Sequence, residues 1–152
     1  MAYVSDEDIL GGELGSLGAL GGAVGGAFSA AGGRWGARLA AKLLPTVKYS
    51  EVLRLRLDVH EAFRRVRAVV SPLGVWYPEV PKGSTYPALR YLMKKGPLSN
   101  PAVLYVEVLE EGINDATVVV TALAKEGLIK QNTARKTVQR IVLLLEELER
   151  AA

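Results

Sequence analysis

The sequence predicts an α+β protein, in which a glycine-rich helical segment over residues 1–46 precedes an α+β domain over residues 47–152. Three observations indicate this class. Runs with an apolar residue at every second position are typical of half-buried strands, longer runs have apolar residues at helical spacing, and turn-forming residues separate the later strands. The chain has 152 residues, which is enough for one ordinary domain and an appendage.

The N-terminal segment combines a stripe of large side chains with a stripe of glycines. Residues 14–33 carry no charge and contain eight Gly and five Ala. The larger residues at helical spacing are Leu10, Leu14, Leu17, Val24, Phe28, Ala31, Trp35, Leu39 and Leu43, and the glycines beside them are Gly11, Gly15, Gly18, Gly22, Gly26, Gly33 and Gly36. The pattern predicts a helix, with Ser5 and Asp8 at capping-box spacing and Pro45 as its stop.

A glycine face lets a second helix approach closely, so we expect this helix to pack against a partner. Each Gly inside a helix costs roughly 0.8–1 kcal/mol relative to Ala, and the eight together cost about 6–8 kcal/mol, more than a solitary helix can absorb. The predicted interaction residues are Gly18, Gly22, Gly26, Phe28 and Trp35. Two alternatives remain open: a flexible Gly/Ala linker, or a membrane anchor of suitable length but with few large apolar side chains.

The body of the chain shows a regular succession of strand and helix patterns. Residues 53, 55 and 57 are leucines that alternate with arginines, which predicts a half-buried strand. Asp58 is predicted to cap the following helix, which ends at 71–74. The remaining predicted elements are a loop over 74–87, strands over 88–94, 102–109 and 115–124, and a last helix over 133–150 that Asn132 caps.

The predicted order is β-α-β-β-β-α, and the turn-rich connections indicate an antiparallel sheet. This order, over residues 50–150, is similar to that of small helix-grip domains, in which a sheet wraps a long C-terminal helix. Such a similarity implies a fold and no function. The sheet face opposite the helices is predicted to be partly apolar and to receive the N-terminal helix or another subunit. Its residues are Thr117, Val119, Thr121, Leu123, Tyr105 and Tyr91.

The sequence contains little that indicates catalysis. It has no cysteine and one histidine, His60, so thiolate chemistry is excluded and an ordinary zinc site is not expected. It also lacks a G-x-S-x-G serine motif and a phosphate-binding G-x-x-x-x-G-K-[ST] loop. We therefore predict a protein that is not an enzyme and that needs neither metal nor cofactor.

Two clusters are candidate ligand sites. The first is a basic helix N-terminus that suits an anion, formed by Lys130, Thr133, Arg135 and Lys136, although ordinary surface charges are the simpler interpretation. The second is a set of aromatic residues around the Pro-containing loop, Trp76, Tyr77 and Tyr86. These aromatic residues either close over an apolar cavity or cover the edge of the core.

The leading hypothesis is an interaction or assembly protein that uses the glycine-faced helix for self-association or for docking to another protein. The alternative is a small helix-grip-like domain that binds apolar or amphipathic ligands and is anchored to a membrane. A formal net charge of +3, with dispersed basic residues, does not indicate nucleic-acid binding. The acidic N-terminus is unlike a secretory signal, so we expect the cytoplasm or the cytosolic face of a membrane.

Overall fold

The computed structural model describes residues 4–23, 43–78, 88–93, 100–126 and 131–150. In chain order, its elements are α1 (Asp6–Ala23), β1 (Thr46–Leu55), α2 (Val59–Val70), a 3₁₀ turn (Ser71–Leu73), β2 (Gly74–Tyr77), β3 (Ala88–Met93), β4 (Ala102–Gly112), β5 (Asp115–Lys125) and α3 (Thr133–Arg150). The predicted stripe over residues 10–43 extends through residues 24–42, which lie outside the described residues.

The five strands form one antiparallel sheet in the order β1-β5-β4-β3-β2. The predicted α+β class and antiparallel sheet are therefore confirmed. The first strand pairs with the last one, while β2 to β5 follow one another across the sheet. Among the described strands, β1 and β2 are thus the two edges.

The prediction of a loop over residues 74–87 is wrong for the first four residues, which form the edge strand β2. Strand β2 has only four residues before Pro78, which is too few to show an alternating pattern. As an edge strand, it is paired on one side only. Gly74 pairs with Met93 at the start of this strand. A Cβ atom at Gly74 would lie 2.7 Å from the carbonyl oxygen of Leu92, so the close approach of the two strands requires glycine.

The β4–β5 hairpin is longer than the sequence predicted. Strand β4 continues to Gly112, and a two-residue turn of Ile113 and Asn114 leads into β5. Asn114 has a φ of 59°, a left-handed conformation that asparagine adopts more readily than most residues. The pairing register shifts between Glu110 and Gly112, which marks a bulge beside the turn.

The main core lies between the sheet and the two later helices. Its helical side chains include Ala62, Val66 and Val70 of α2 and Ala134, Val138, Ile141 and Leu145 of α3. All of these are almost fully buried, as the helical spacing predicted. Leu148, the last residue of the predicted α3 stripe, is 37% exposed because it lies in the final turn, beyond the edge of the core.

The N-termini of α2 and α3 are stabilised in different ways. Asp58 caps α2 as predicted, because its carboxylate accepts hydrogen bonds from the backbone N–H groups of His60 (2.9 Å) and Glu61 (3.0 Å). At α3, the N–H of Thr133 donates to the carboxylate of Glu126 (2.7 Å). Asn132 instead has a φ of 53° and contributes its backbone carbonyl, which accepts from the N–H of Lys136.

The second face of the sheet is opposite α2 and α3, and α1 packs there. Tyr105 lies on this face as predicted and contacts the α1 cluster. Tyr91 does not, because it belongs to the main core and its hydroxyl forms a 2.9 Å hydrogen bond with Ser71 Oγ. Strand β3 is buried along most of its length, so its sequence lacks the alternation that would have assigned its two faces.

Candidate functional site

The most distinctive site in the described residues is the attachment of α1 to the second face of the sheet. Ser5 begins the helix: its hydroxyl accepts from the N–H of Asp8 (3.1 Å) and donates to the Asp8 carboxylate (2.6 Å). The predicted Ser5–Asp8 capping pair is therefore present. This cap fixes the direction of the first turn and places Asp6 above β3 and β4, where it meets Arg90 and Tyr105.

Arg90 is the centre of this attachment, and its side chain is fully buried. Its Nη2 atom forms an ion pair with Asp6 Oδ1 and donates to the backbone carbonyl of Val4 at 2.9 Å. The Tyr105 hydroxyl also donates to Asp6 Oδ1, at 2.5 Å. The guanidinium carbon lies 5.8 Å and 5.7 Å from the ring centroids of Tyr77 and Tyr105, within the range of cation–π attraction.

An apolar cluster adjoins this polar network. Ile9 and Leu10 of α1 pack against Leu92 and Val103 of the sheet, and all four are nearly or fully buried. Complete burial of such side chains contributes roughly 1.5–3 kcal/mol each. Burial of the apolar cluster is not directional, whereas the Asp6–Arg90 ion pair favours one position of the helix, because a displaced helix would lose this pair with a fully buried guanidinium.

Sequence reasoning missed Asp6 and Arg90 as site residues. A signal for Arg90 was present, because it is the one charged residue among Ala-Leu-Arg-Tyr-Leu-Met in β3. Arginine is almost never fully buried unless it is paired, so a charge inside a buried strand indicates a partner elsewhere in the chain. The identity of that partner, 84 positions away, could not be derived from spacing.

The predicted interaction residues of the glycine-rich segment fall in two groups. Gly18 and Gly22 lie in α1, downstream of the attachment at Asp6, Ile9 and Leu10. Gly26, Phe28 and Trp35 lie outside the described residues. The structure therefore shows how the helix begins, and the role of its glycines stays a prediction.

Part of the second face has no described residue packed over it. Val52 of β1 is 65% exposed and pairs with Val119 of β5. Thr121 is half-buried beside it and shares a 2.9 Å hydrogen bond with the hydroxyl of Ser50. Leu123 is also half-buried on this face. The face is thus apolar enough to gain from being covered, yet retains polar groups that tolerate water.

Two of the three predicted ligand-cavity aromatics, Trp76 and Tyr77, lie in strand β2. Trp76 and Tyr77 are neighbours in β2, so their side chains point to opposite faces of the sheet. Trp76 is 54% exposed, while Tyr77 packs against the α1 cluster and Arg90. Tyr86 lies outside the described residues. A single cavity lined jointly by Trp76 and Tyr77 is therefore inconsistent with the strand.

At the predicted anion site, a carboxylate of the chain itself occupies the helix N-terminus. The Thr133 N–H donates to Glu126, which is 4% exposed, so an external anion would have to displace a buried carboxylate. The Arg135 guanidinium lies 5.8 Å from the ring centroid of Tyr49. Lys136 is exposed, and Lys130 lies outside the described residues.

A hydrogen bond to the Glu51 carboxylate raises the pKa of Tyr49 above its ordinary value.

The structure reveals one further feature, an open cleft of about 1090 Å³ at the end of the sheet where β1 finishes. Arg54 and Arg56 line it from the end of β1, Arg65 of α2 contributes a third guanidinium, and Asn114 and Asp115 come from the β4–β5 hairpin. The alternation of arginine and leucine in β1 predicted only a solvent-facing side for these arginines. Their convergence with the distant hairpin depends on the pairing of β1 with β5.

Within the described ranges, no group of three or more His, Cys, Asp or Glu side chains could hold a metal ion. His60 is exposed at the start of α2. None of the helices in the described part of the chain is both long enough and apolar enough to cross a membrane. No protein-family model matches the chain, and no curated protein is significantly similar to it in sequence.

Proposed function

We propose that the chain is a non-enzymatic interaction or assembly protein, which associates with a second copy or another protein through the glycine-bearing part of α1. The observation that carries this proposal is the anchoring of α1 by its first turns. Asp6, Ile9 and Leu10 attach the helix to the sheet, and the same helix continues through Gly18 and Gly22. The body of the protein would then present the glycine face in a defined direction.

The energetic cost of glycine in a helix favours a packed environment for this part of α1. Glycine lowers helix stability by roughly 0.8–1 kcal/mol per residue relative to Ala, and the first two turns contain only a few apolar contacts with which to offset it. Close contact between helix backbones is the interaction that glycine permits and that larger residues prevent. The exposed Val52 on the same sheet face would extend the contact area beyond the helix.

The experiment is an absolute mass measurement by light scattering on the full-length chain and on a Gly18→Leu/Gly22→Leu/Gly26→Leu variant. The wild type should form an oligomer or a complex with its partner, and the variant should lose it because leucine side chains separate the helix backbones. The matched control is Gly12→Leu in the same helix, because a Cβ atom at Gly12 meets nothing within 4 Å. An unchanged mass for the triple variant would contradict the proposal.

A helix-grip-like domain that binds apolar ligands is the second candidate. The pairing of β1 with β5 and the packing of α2 and α3 on one face favour this arrangement. The side chains of the described core are almost fully buried, and most of the loop predicted to cover a cavity, residues 79–87, lies outside the described residues. Lipid that co-purifies with the protein, or thermal stabilisation by fatty acids, would support it. A protein free of lipid and unaffected by fatty acids would argue against it.

Association of the glycine-rich segment with a membrane belongs to the same second candidate. Co-sedimentation of the full-length chain with phospholipid vesicles tests it, and the triple glycine variant separates the two proposals. Leucine would strengthen binding to a lipid surface because it adds apolar area, whereas it would weaken packing between helices.

A further inference from the structure

The cleft at the end of β1 brings together charged and polar residues from four parts of the fold. Its volume of about 1090 Å³ is large enough to admit a small metabolite. The cationic residues that line it are Arg54, Arg56 and Arg65. The polar groups are those of Asn114, Asp115 and Glu149, and Leu57 adds an apolar patch.

Arg54 and Arg56 form no ion pair with any residue in the described part of the chain. Other arginines nearby do: Arg64 and Arg65 both bind the Glu61 carboxylate. Two unpaired guanidinium groups that line the same cleft repel each other, and an oxyanion bound by both would relieve that repulsion. Guanidinium groups bind phosphate and carboxylate oxygens with two parallel hydrogen bonds, which gives such a site both strength and direction.

Apart from the three arginines, the polar residues that line the cleft are Asn114, Asp115 and Glu149. The Glu149 carboxylate accepts a 3.3 Å hydrogen bond from the backbone N–H of Arg56, which holds the end of α3 against the end of β1. Asp115 and Asn114 lie at the hairpin side of the cleft. Carboxylate and amide oxygens accept hydrogen bonds, so this side favours hydroxyl groups on the ligand and disfavours a second anion.

We propose that this cleft binds a small phosphorylated polyol, with its phosphate on Arg54 and Arg56 and its hydroxyl groups on Asn114 and Asp115. Arg65, which also lines the cleft, donates a hydrogen bond to the Glu61 carboxylate and is therefore already paired. This inference is independent of the association through α1, because no residue of α1 lines the cleft.

The test is an NMR titration of the full-length protein with glycerol 3-phosphate, glucose 6-phosphate, inorganic phosphate and glucose. We expect at least one of the two sugar or glycerol phosphates to shift the backbone amides of Arg56 and Asn114, and to bind at least tenfold more tightly than inorganic phosphate or glucose. Arg54→Gln and Arg56→Gln should each weaken this binding about tenfold.

The matched control is Arg64→Gln, which removes the same charge from α2, where Arg64 is 77% exposed and does not line the cleft. It should change the affinity less than twofold. Equal weakening by Arg64→Gln would show attraction by general charge and would overturn the proposal. So would equal affinity for inorganic phosphate alone, or the absence of an Arg54-dependent shift with all four compounds.

Discussion

The two faces of the sheet are covered in different ways. On one face, α2 and α3 contribute a continuous set of apolar side chains that are almost fully buried. On the other, α1 is attached by a small apolar cluster and by the buried Asp6–Arg90 pair, and Val52 remains exposed nearby. The first face provides most of the apolar burial that stabilises a fold, whereas the second places one helix precisely with few contacts.

The two faces should therefore lose their structure in different ways when the protein is destabilised. A large apolar core loses stability in proportion to the volume removed, and the whole domain unfolds together. A helix attached by a few residues can detach locally, at a lower free energy than global unfolding. The two faces should therefore respond differently to substitutions of similar size.

Removal of the Asp6 carboxylate should give the largest effect. Asp6→Ala removes the carboxylate that forms an ion pair with the fully buried Arg90 side chain, and breaking a buried pair from one side costs about 3–5 kcal/mol. Native-state hydrogen exchange of the α1 amides measures this loss as a change in the free energy of detaching the helix from the sheet. The control is Glu7→Ala, an exposed acid in the same turn, which should change that free energy by less than about 0.5 kcal/mol. Similar losses in both variants would refute a specific role for Asp6.

Core truncations on the two faces should separate global from local stability. Ile141→Ala on α3 should lower the free energy of global unfolding by about 2–5 kcal/mol, because Ile141 is fully buried. Leu10→Ala removes a side chain that is equally buried on the other face. Its main effect should be faster hydrogen exchange in α1, with little change in β4. If Leu10→Ala accelerated exchange in β4 as much as Ile141→Ala does, the two faces would form a single cooperative unit.

The cap of α2, on the core face, should depend on pH. The hydrogen bond from the Glu61 N–H is the main reason that the pKa of Asp58 lies below its ordinary value. A lowered folded-state pKa means that the stabilising contribution is present above the ordinary pKa and is lost as the pH falls through the folded-state pKa. Asp58→Asn keeps an acceptor but does not titrate.

The stability difference between wild type and Asp58→Asn should therefore shrink between pH 7 and pH 2, as measured by urea denaturation at each pH. Glu147→Gln, an exposed acid on α3, serves as the control for general charge effects. A difference that stays constant over this range would be evidence against the capping role of the ionised carboxylate.

The smallest effect is expected at Gly12 in α1. A Cβ atom there meets nothing within 4 Å, so Gly12→Ala should stabilise the helix by about 0.8–1 kcal/mol without a steric cost. Because α1 is attached locally, this gain should appear as slower hydrogen exchange in α1. Gly74→Ala should destabilise the protein instead, because its Cβ atom would lie 2.7 Å from the Leu92 carbonyl oxygen. Equal effects of the two substitutions would contradict this distinction.

Periodicity predicted the elements of the core face well. Leu53 and Leu55 of β1 and the buried stripe of α3 reach the core as their spacing indicated, because a half-buried element repeats its pattern along its length. The same reasoning failed for β2, which is too short to repeat, and for Tyr91, which lies in a strand buried on both sides.

The site was less predictable than the fold. The attachment of α1 depends on Asp6, Arg90 and Tyr105, which are far apart in the chain, and spacing within one element carries no information about them. Only the isolated charge of Arg90 in an apolar strand indicated that a partner was needed. The arginine cleft was equally hidden, because the β1–β5 pairing brings the hairpin beside Arg54 and Arg56.

Native-state hydrogen exchange across α1, measured at several protein concentrations, distinguishes attachment of the helix to its own sheet from association through its glycines. We expect the amides of residues 9–13 to have protection that does not depend on concentration, because this part is attached to its own sheet. Protection of residues 14–23 should rise with concentration, because association covers the glycine-bearing part. Protection that is independent of concentration along the whole helix, with no added partner able to raise it, would contradict the account.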